Sequence, residues 1–215
     1  MKPENLRSFI VYGVDEEMPQ GKIIVGGLSI CALPCIIAIA GIERTNTIWM
    51  SVLIYLLSLS FLVTLFKASQ NLDLKKRIFC SMVISIATTV LFSLSAAIIL
   101  VKEGIPYGGL VCLIPTVLGI ISFLVVYGRL RLNGYLNKKN NPKYKNLTVA
   151  ALIGTGLSMW GFGDKLFARV EAMLPEGAYG SILALIIASV FAIMGAPTIL
   201  KLYYLHKLES STANK

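Results

Sequence analysis

Charged residues leave six stretches of the chain without a single Asp, Glu, Lys or Arg: 23–42, 45–66, 78–101, 104–128, 146–163 and 177–200. Their lengths are 20, 22, 24, 25, 18 and 24 residues. Apolar and polar positions do not alternate inside them; 52-VLIYLLSLSFLVTLF-66 is apolar on nearly every face. A helix rises about 1.5 Å per residue, so about 20 apolar residues cross a hydrocarbon core of about 30 Å. Every run but 146–163 reaches that length. Lipid offers backbone N–H and C=O groups no partner, so a spanning segment is a helix or part of a closed barrel. Barrel strands alternate over about 10 residues, and these runs do not. The pattern predicts an all-α fold, a polytopic membrane helix bundle of six transmembrane helices. Five spans with 146–163 re-entrant is the alternative.

Composition changes this picture little. Of 215 residues, 56% are hydrophobic and 14% charged, where a soluble domain carries about a quarter charged. The expected organisation is a tail over 1–22, one membrane domain over 23–204 and a second tail over 205–215, with no room for a folded soluble domain. Residues 1–21 include Asp15, Glu16 and Glu17 and lack a long apolar core. The first span is therefore expected to be an uncleaved anchor. Ser60-Phe61-Leu62-Val63 and Ser122-Phe123-Leu124-Val125 repeat one tetrapeptide ahead of Lys67 and Arg129. Shared span composition explains so short a match as well as a duplicated hairpin does. The segment 164-DKLFARVEAML-174 puts Leu166, Phe167, Val170, Met173 and Leu174 on one helical face. It reads as a helix lying on the membrane surface or capping the bundle.

Net charge is +9, and its distribution matters more than its size. Six charge-free spans put Lys and Arg on two sides, 16 on one and 4 on the other. The rich side includes the loop 128-GRLRLNGYLNKKNNPKYKN-146, with Arg129, Arg131, Lys138, Lys139, Lys143 and Lys145 and no acid. Short cytoplasmic loops retain Lys and Arg during insertion, so both termini and this basic loop are expected inside, N-in and C-in. The same cations would attract anionic lipid headgroups. A scaffold for nucleic acid is missing. Trp49, Tyr107, Trp160 and Tyr179 fall near the expected outer ends, and Tyr127, Tyr203 and Tyr204 near the inner ends, as interfacial aromatic residues do.

Candidate chemistry is sparse. No acid, Lys, Arg or His lies within the six runs, and the single histidine, His206, follows the last. An intramembrane charge costs about 2.5–3.5 kcal/mol on insertion scales and is kept where it relays protons or binds ions. Ion coupling by a buried carboxylate is thus not expected. There is no P-loop, no HExxH pattern and no zinc-ligand spacing, so neither an enzyme nor a cofactor is expected. Cys31, Cys35, Cys80 and Cys112 lie in spans without a histidine to activate them. Cys31 and Cys35 share a helix face, where packing competes with soft-metal binding.

A polar seam is the clearest motif. Ser81, Ser85, Thr89 and Ser93 recur every four residues, with Thr88 beside them. That spacing makes one stripe, fit either for close helix packing with cross-helix hydrogen bonds or for the wall of a pathway. Run 146–163 is rich in glycine: Gly154, Gly156, Gly161 and Gly163. Pro34, Pro115 and Pro197 lie within spans and are expected to remove ladder bonds and kink their helices. Two functions fit. One is a non-enzymatic accessory or interaction subunit of the bacterial cytoplasmic membrane, of immunity, exclusion or assembly type, bound to another membrane protein. The other is a permease or facilitator for a small neutral solute.

Overall fold

Apart from 146–163, the charge-free runs lie largely in helices, several of which continue past the charges that bound the runs. The computed structural model describes residues 9–10, 20–42, 47–70, 72–105, 108–131 and 179–213. In chain order these form α1 (Gln20–Gly41), α2 (Ile48–Ala68), α3 (Leu74–Lys102), the single turn α4 (Gly108–Val111), α5 (Leu113–Arg131) and α6 (Tyr179–Ala213). Among the described residues there is no strand, and five helices are long and apolar enough to cross a membrane. The run 146–163, expected to be another span, lies outside the described residues, as do the segment 164–174 and most of the tail 1–22, whereas the tail 205–215 is described as far as residue 213, as a continuation of α6.

Local chemistry marks the helix ends. At the α1–α2 turn the Thr47 hydroxyl donates to the Gly41 carbonyl, and Ser51 Oγ donates to the Thr47 carbonyl at 3.1 Å. The α3 N-terminus is capped by Asp73, whose side chain accepts the Lys76 backbone N–H at 2.7 Å, using an N–H that has no partner within the helix. At the other end Ile105 N–H reaches back to the Leu100 carbonyl at 3.0 Å. Gly104 sits there at φ +80°, a left-handed conformation that glycine adopts without Cβ strain and that closes helices in this way.

Helix α3 is the hub. It packs on α1, α2, α4, α5 and α6, and most extensively on α6, while α5 rests mainly on α6. One core joins α1, α2 and α3 around Ile23, Cys31, Ile54, Phe61, Leu65 and Leu91. A second joins α3 and α6 through Phe92, Ala96, Ala184 and Ala188. A third lies at one end of the bundle. There Phe9 and Ile10, 1% and 2% exposed, pack with Ile78, Leu200, Phe123 and Val126. The 1–22 segment is thus more than a solvated tail: two of its residues are bundle core.

The two ends of the bundle differ in charge. Gln20 Nε2 lies 3.3 Å from Ser69 Oγ, and Lys75 pairs with Glu209 at 2.6 Å. These contacts bring the start of α1, the end of α2, the start of α3 and the end of α6 to one level. Lys22, Lys67, Lys75, Lys76, Arg77, Lys201 and Lys207 belong to that end, and α5 finishes there with Arg129 and Arg131. The opposite end holds Lys102 among the described residues. Trp49 is 79% exposed in the first turn of α2, at the charge-poor end. Tyr203, at the basic end, is 59% exposed. Helix α6 has 35 residues, about 52 Å at 1.5 Å each, so its last turns run beyond a hydrocarbon core.

Two expectations shift. Pro34 and Pro197 lie inside α1 and α6. Pro115, expected to interrupt a span, is instead the third residue of α5, because the run 104–128 breaks at Cys112 into α4 and α5. A first-turn N–H has no helical acceptor to lose, so proline there removes no ladder bond. Lys201, which bounds the last charge-free run, is only 7% exposed, with its ammonium 5.8 Å from the centre of the Phe9 ring. That is cation–π range.

Candidate functional site

Four of the five seam residues face the protein, and the helix period is the reason. Ser85, Thr88 and Ser93 are buried, Thr89 is half-buried and Ser81, one turn nearer the basic end, is exposed. Ser85 Oγ donates to the Ser81 carbonyl at 3.0 Å, Thr88 to Ile84 at 2.7 Å and Thr89 to Ser85 at 2.8 Å. A hydroxyl bonded to the carbonyl one turn back satisfies itself without a partner helix. Thr89 also reaches the Ala188 carbonyl of α6 at 3.3 Å. Among the described residues the buried Ser93 Oγ has no hydrogen-bond partner.

The facing surface of α6 is what makes the seam close. Ser181, Ala184, Ala188 and Ala196 are 1%, 3%, 0% and 3% exposed. A Cβ added to Gly195 would stand 2.9 Å from the Ser85 Cβ, and one added to Gly180 would stand 3.3 Å from the end of Ile99. Small residues let two backbones approach, which is how apolar helices associate where burial from water is no driving force. This small-residue face was not singled out in the sequence. Its signal was present: Ser181, Ala184 and Ala188 are spaced three and four apart, followed after a further seven by Gly195.

The remaining candidates are dispersed. Arg129 and Arg131 end α5, whereas Lys138, Lys139, Lys143 and Lys145 lie outside the described residues. The described helices do not bring the seam and the basic residues together: the seam occupies the middle of α3, and the cations gather at its start. Cys35 Sγ lies 3.6 Å from Ser58 Oγ, and Cys31 is buried in the same α1–α2 core. Cys112 Sγ donates to the Ser93 carbonyl at 2.9 Å. Among the described residues no three His, Cys, Asp or Glu side chains converge as metal ligands would. The glycine-rich run 146–163 lies outside those residues.

No protein-family model, curated protein or solved structure matches the chain. Its class therefore rests on its own helices, five of which, among the described residues, are long and apolar enough to cross a membrane.

Proposed function

We propose that this is a non-enzymatic, multi-pass protein of the bacterial cytoplasmic membrane, with both termini inside, that serves as an accessory subunit by binding another membrane protein. The observation that carries the reading is the closed α3–α6 seam. A solute pathway needs its hydroxyls turned toward open, wettable volume. Here Ser85, Thr88 and Thr89 spend them on carbonyls of their own helix, and Gly195 presses on Ser85. With the α3 hydroxyl stripe packed against α6, we assign function to the outer faces of the described helices. Those of α1, α2 and α5 are apolar, with Ile36, Leu59 and Leu124 each about 60% exposed, and would be shared between lipid and a partner helix. The orientation follows from the basic end and the tendency of Lys and Arg to stay inside. Immunity, exclusion and assembly subunits are the roles such a bundle can fill without chemistry.

The test is paired. A photo-crosslinking residue at Leu124, in the native membrane, should give a stoichiometric adduct with one other membrane protein. Purified protein alone in vesicles should leave the permeability to neutral solutes such as glycerol unchanged. Solute flux that Thr89→Leu abolishes would instead establish a facilitator and overturn the accessory role.

A further inference from the structure

Between the first two turns of α3 and the last part of α6 runs a groove of about 610 Å³. Its walls are Phe79 and Met82 on one side and Ile199 and Leu202 on the other. Its rim, at the basic end, carries Lys75, Lys76 and His206. The groove exists because the close seam stops short of it. Ser85 of α3 stands against Gly195 of α6, and nearer the basic end Met82 and Phe79 line the groove while Ile78 and Leu200 keep the two helices packed.

We propose that this groove binds one anionic phospholipid, its acyl chain between Phe79, Met82, Ile199 and Leu202 and its phosphate at Lys75 and Lys76. The geometry fits on both counts. From Lys75 to Met82 is seven residues of helix, about 10 Å, so cations and apolar walls stand at headgroup and upper-chain depth respectively. Each ammonium has three donors. Lys75 gives one to Glu209 at 2.6 Å and Lys76 one to the Gln70 carbonyl at 2.9 Å. Both cations are placed while keeping capacity for a phosphate. Among the described residues the acids nearby are Glu209 and Asp73, and the Asp73 carboxylate is turned onto the α3 N-terminus. Basic pockets between helices at the cytoplasmic face select anionic headgroups over zwitterionic ones in this manner. The site rests on residence in a membrane and not on the accessory role, so either can fail without the other.

The test uses the full chain in mild detergent and native mass spectrometry of bound lipid. Phosphatidylglycerol and phosphatidylcholine of identical chains are compared, with inorganic phosphate as a competitor. The wild type should hold one phosphatidylglycerol in preference to phosphatidylcholine, and excess phosphate should not displace it. Lys75→Gln with Lys76→Gln should weaken retention of the anionic lipid roughly thirtyfold. Met82→Trp, which fills the groove and keeps both cations, should lower retention of either lipid. Glu209→Gln separates the site from a merely structural ion pair: it should leave anionic-lipid binding intact or tighter. Equal retention of the two lipids, displacement by phosphate alone, or loss in Glu209→Gln equal to that in the lysine variant would each overturn the proposal. Should the double lysine variant not be recovered, loss of anionic-lipid binding in Glu209→Gln, or unchanged retention of both lipids in Met82→Trp, would overturn the proposal.

Discussion

Helices α3 and α5 are nearly equal in mean hydropathy and opposite in environment. In the most apolar 18-residue window, 56% of α3 is buried within the protein, against 11% of the span Gly109–Gly128 that joins α4 to α5. What separates them is side-chain size and hydroxyl content. α3 contributes Ser85, Thr88, Ser93, Ser95, Ala96 and Ala97 to buried positions. α5 turns Leu113, Val117, Ile120, Ile121 and Leu124 outward, each at least half exposed. In water such a face would be a liability; in lipid it meets its own kind. Apolarity therefore decides that a helix enters the membrane, while small and hydroxyl residues decide which helix becomes the core.

That contrast can be broken first by overfilling the seam. Gly195→Leu drives a side chain into Ser85, and should destabilise the bundle by about 3 kcal/mol, the upper part of the range for overpacking. Thermal unfolding in detergent measures it, and a loss below about 0.5 kcal/mol would mean that α3 and α6 do not pack this closely. Next, Leu91→Ala in α3, where the side chain is 1% exposed, is set against Leu124→Ala in α5, where it is 59% exposed. The first should cost about 2 kcal/mol through the cavity it leaves. The second should stay within about 0.5 kcal/mol. Equal losses would erase the distinction between the two helices.

Smaller effects sharpen it. Ser93→Ala removes a buried hydroxyl that has no partner among the described residues and should stabilise by about 1 kcal/mol, since an unsatisfied polar group costs at least that much. Destabilisation instead would reveal a bond to Ser93 that the packing does not show. Thr89→Val keeps shape and removes the reach to Ala188. It should cost about 0.6 kcal/mol, the average for cross-helix hydrogen bonds in membranes.

The sequence made the helices legible and their packing only partly so. Charge-free runs at 23–42, 45–66, 78–101 and 177–200 correspond to α1, α2, α3 and α6. The correspondence is this close because the insertion cost of a charge is large beside any packing term. The break at Cys112 was not legible: both α4 and α5 are apolar, and Pro115 reads alike at a kink and in a first turn. Burial of Phe9 and Ile10 was hidden for a related reason, since the apolar stretch 9-FIVYGV-14 is too short to show a period. The hydroxyl stripe of α3 was read, yet whether it faced a pathway depended on α6, whose small residues carry no charge or motif to draw the eye. Lys201 shows the limit of counting charges at boundaries. It ends a run as expected, yet it is buried against an aromatic ring.

The threading of these helices through lipid is tested most directly by thiol labelling in intact cells. Gln70→Cys lies at the basic end and Glu103→Cys at the opposite one, with wild type as the blank because its four cysteines lie in the spans. A membrane-impermeant maleimide should label Glu103→Cys in intact cells and Gln70→Cys only after the membrane is opened. Labelling of Gln70→Cys in intact cells, or of both sites from the same side, would contradict the account.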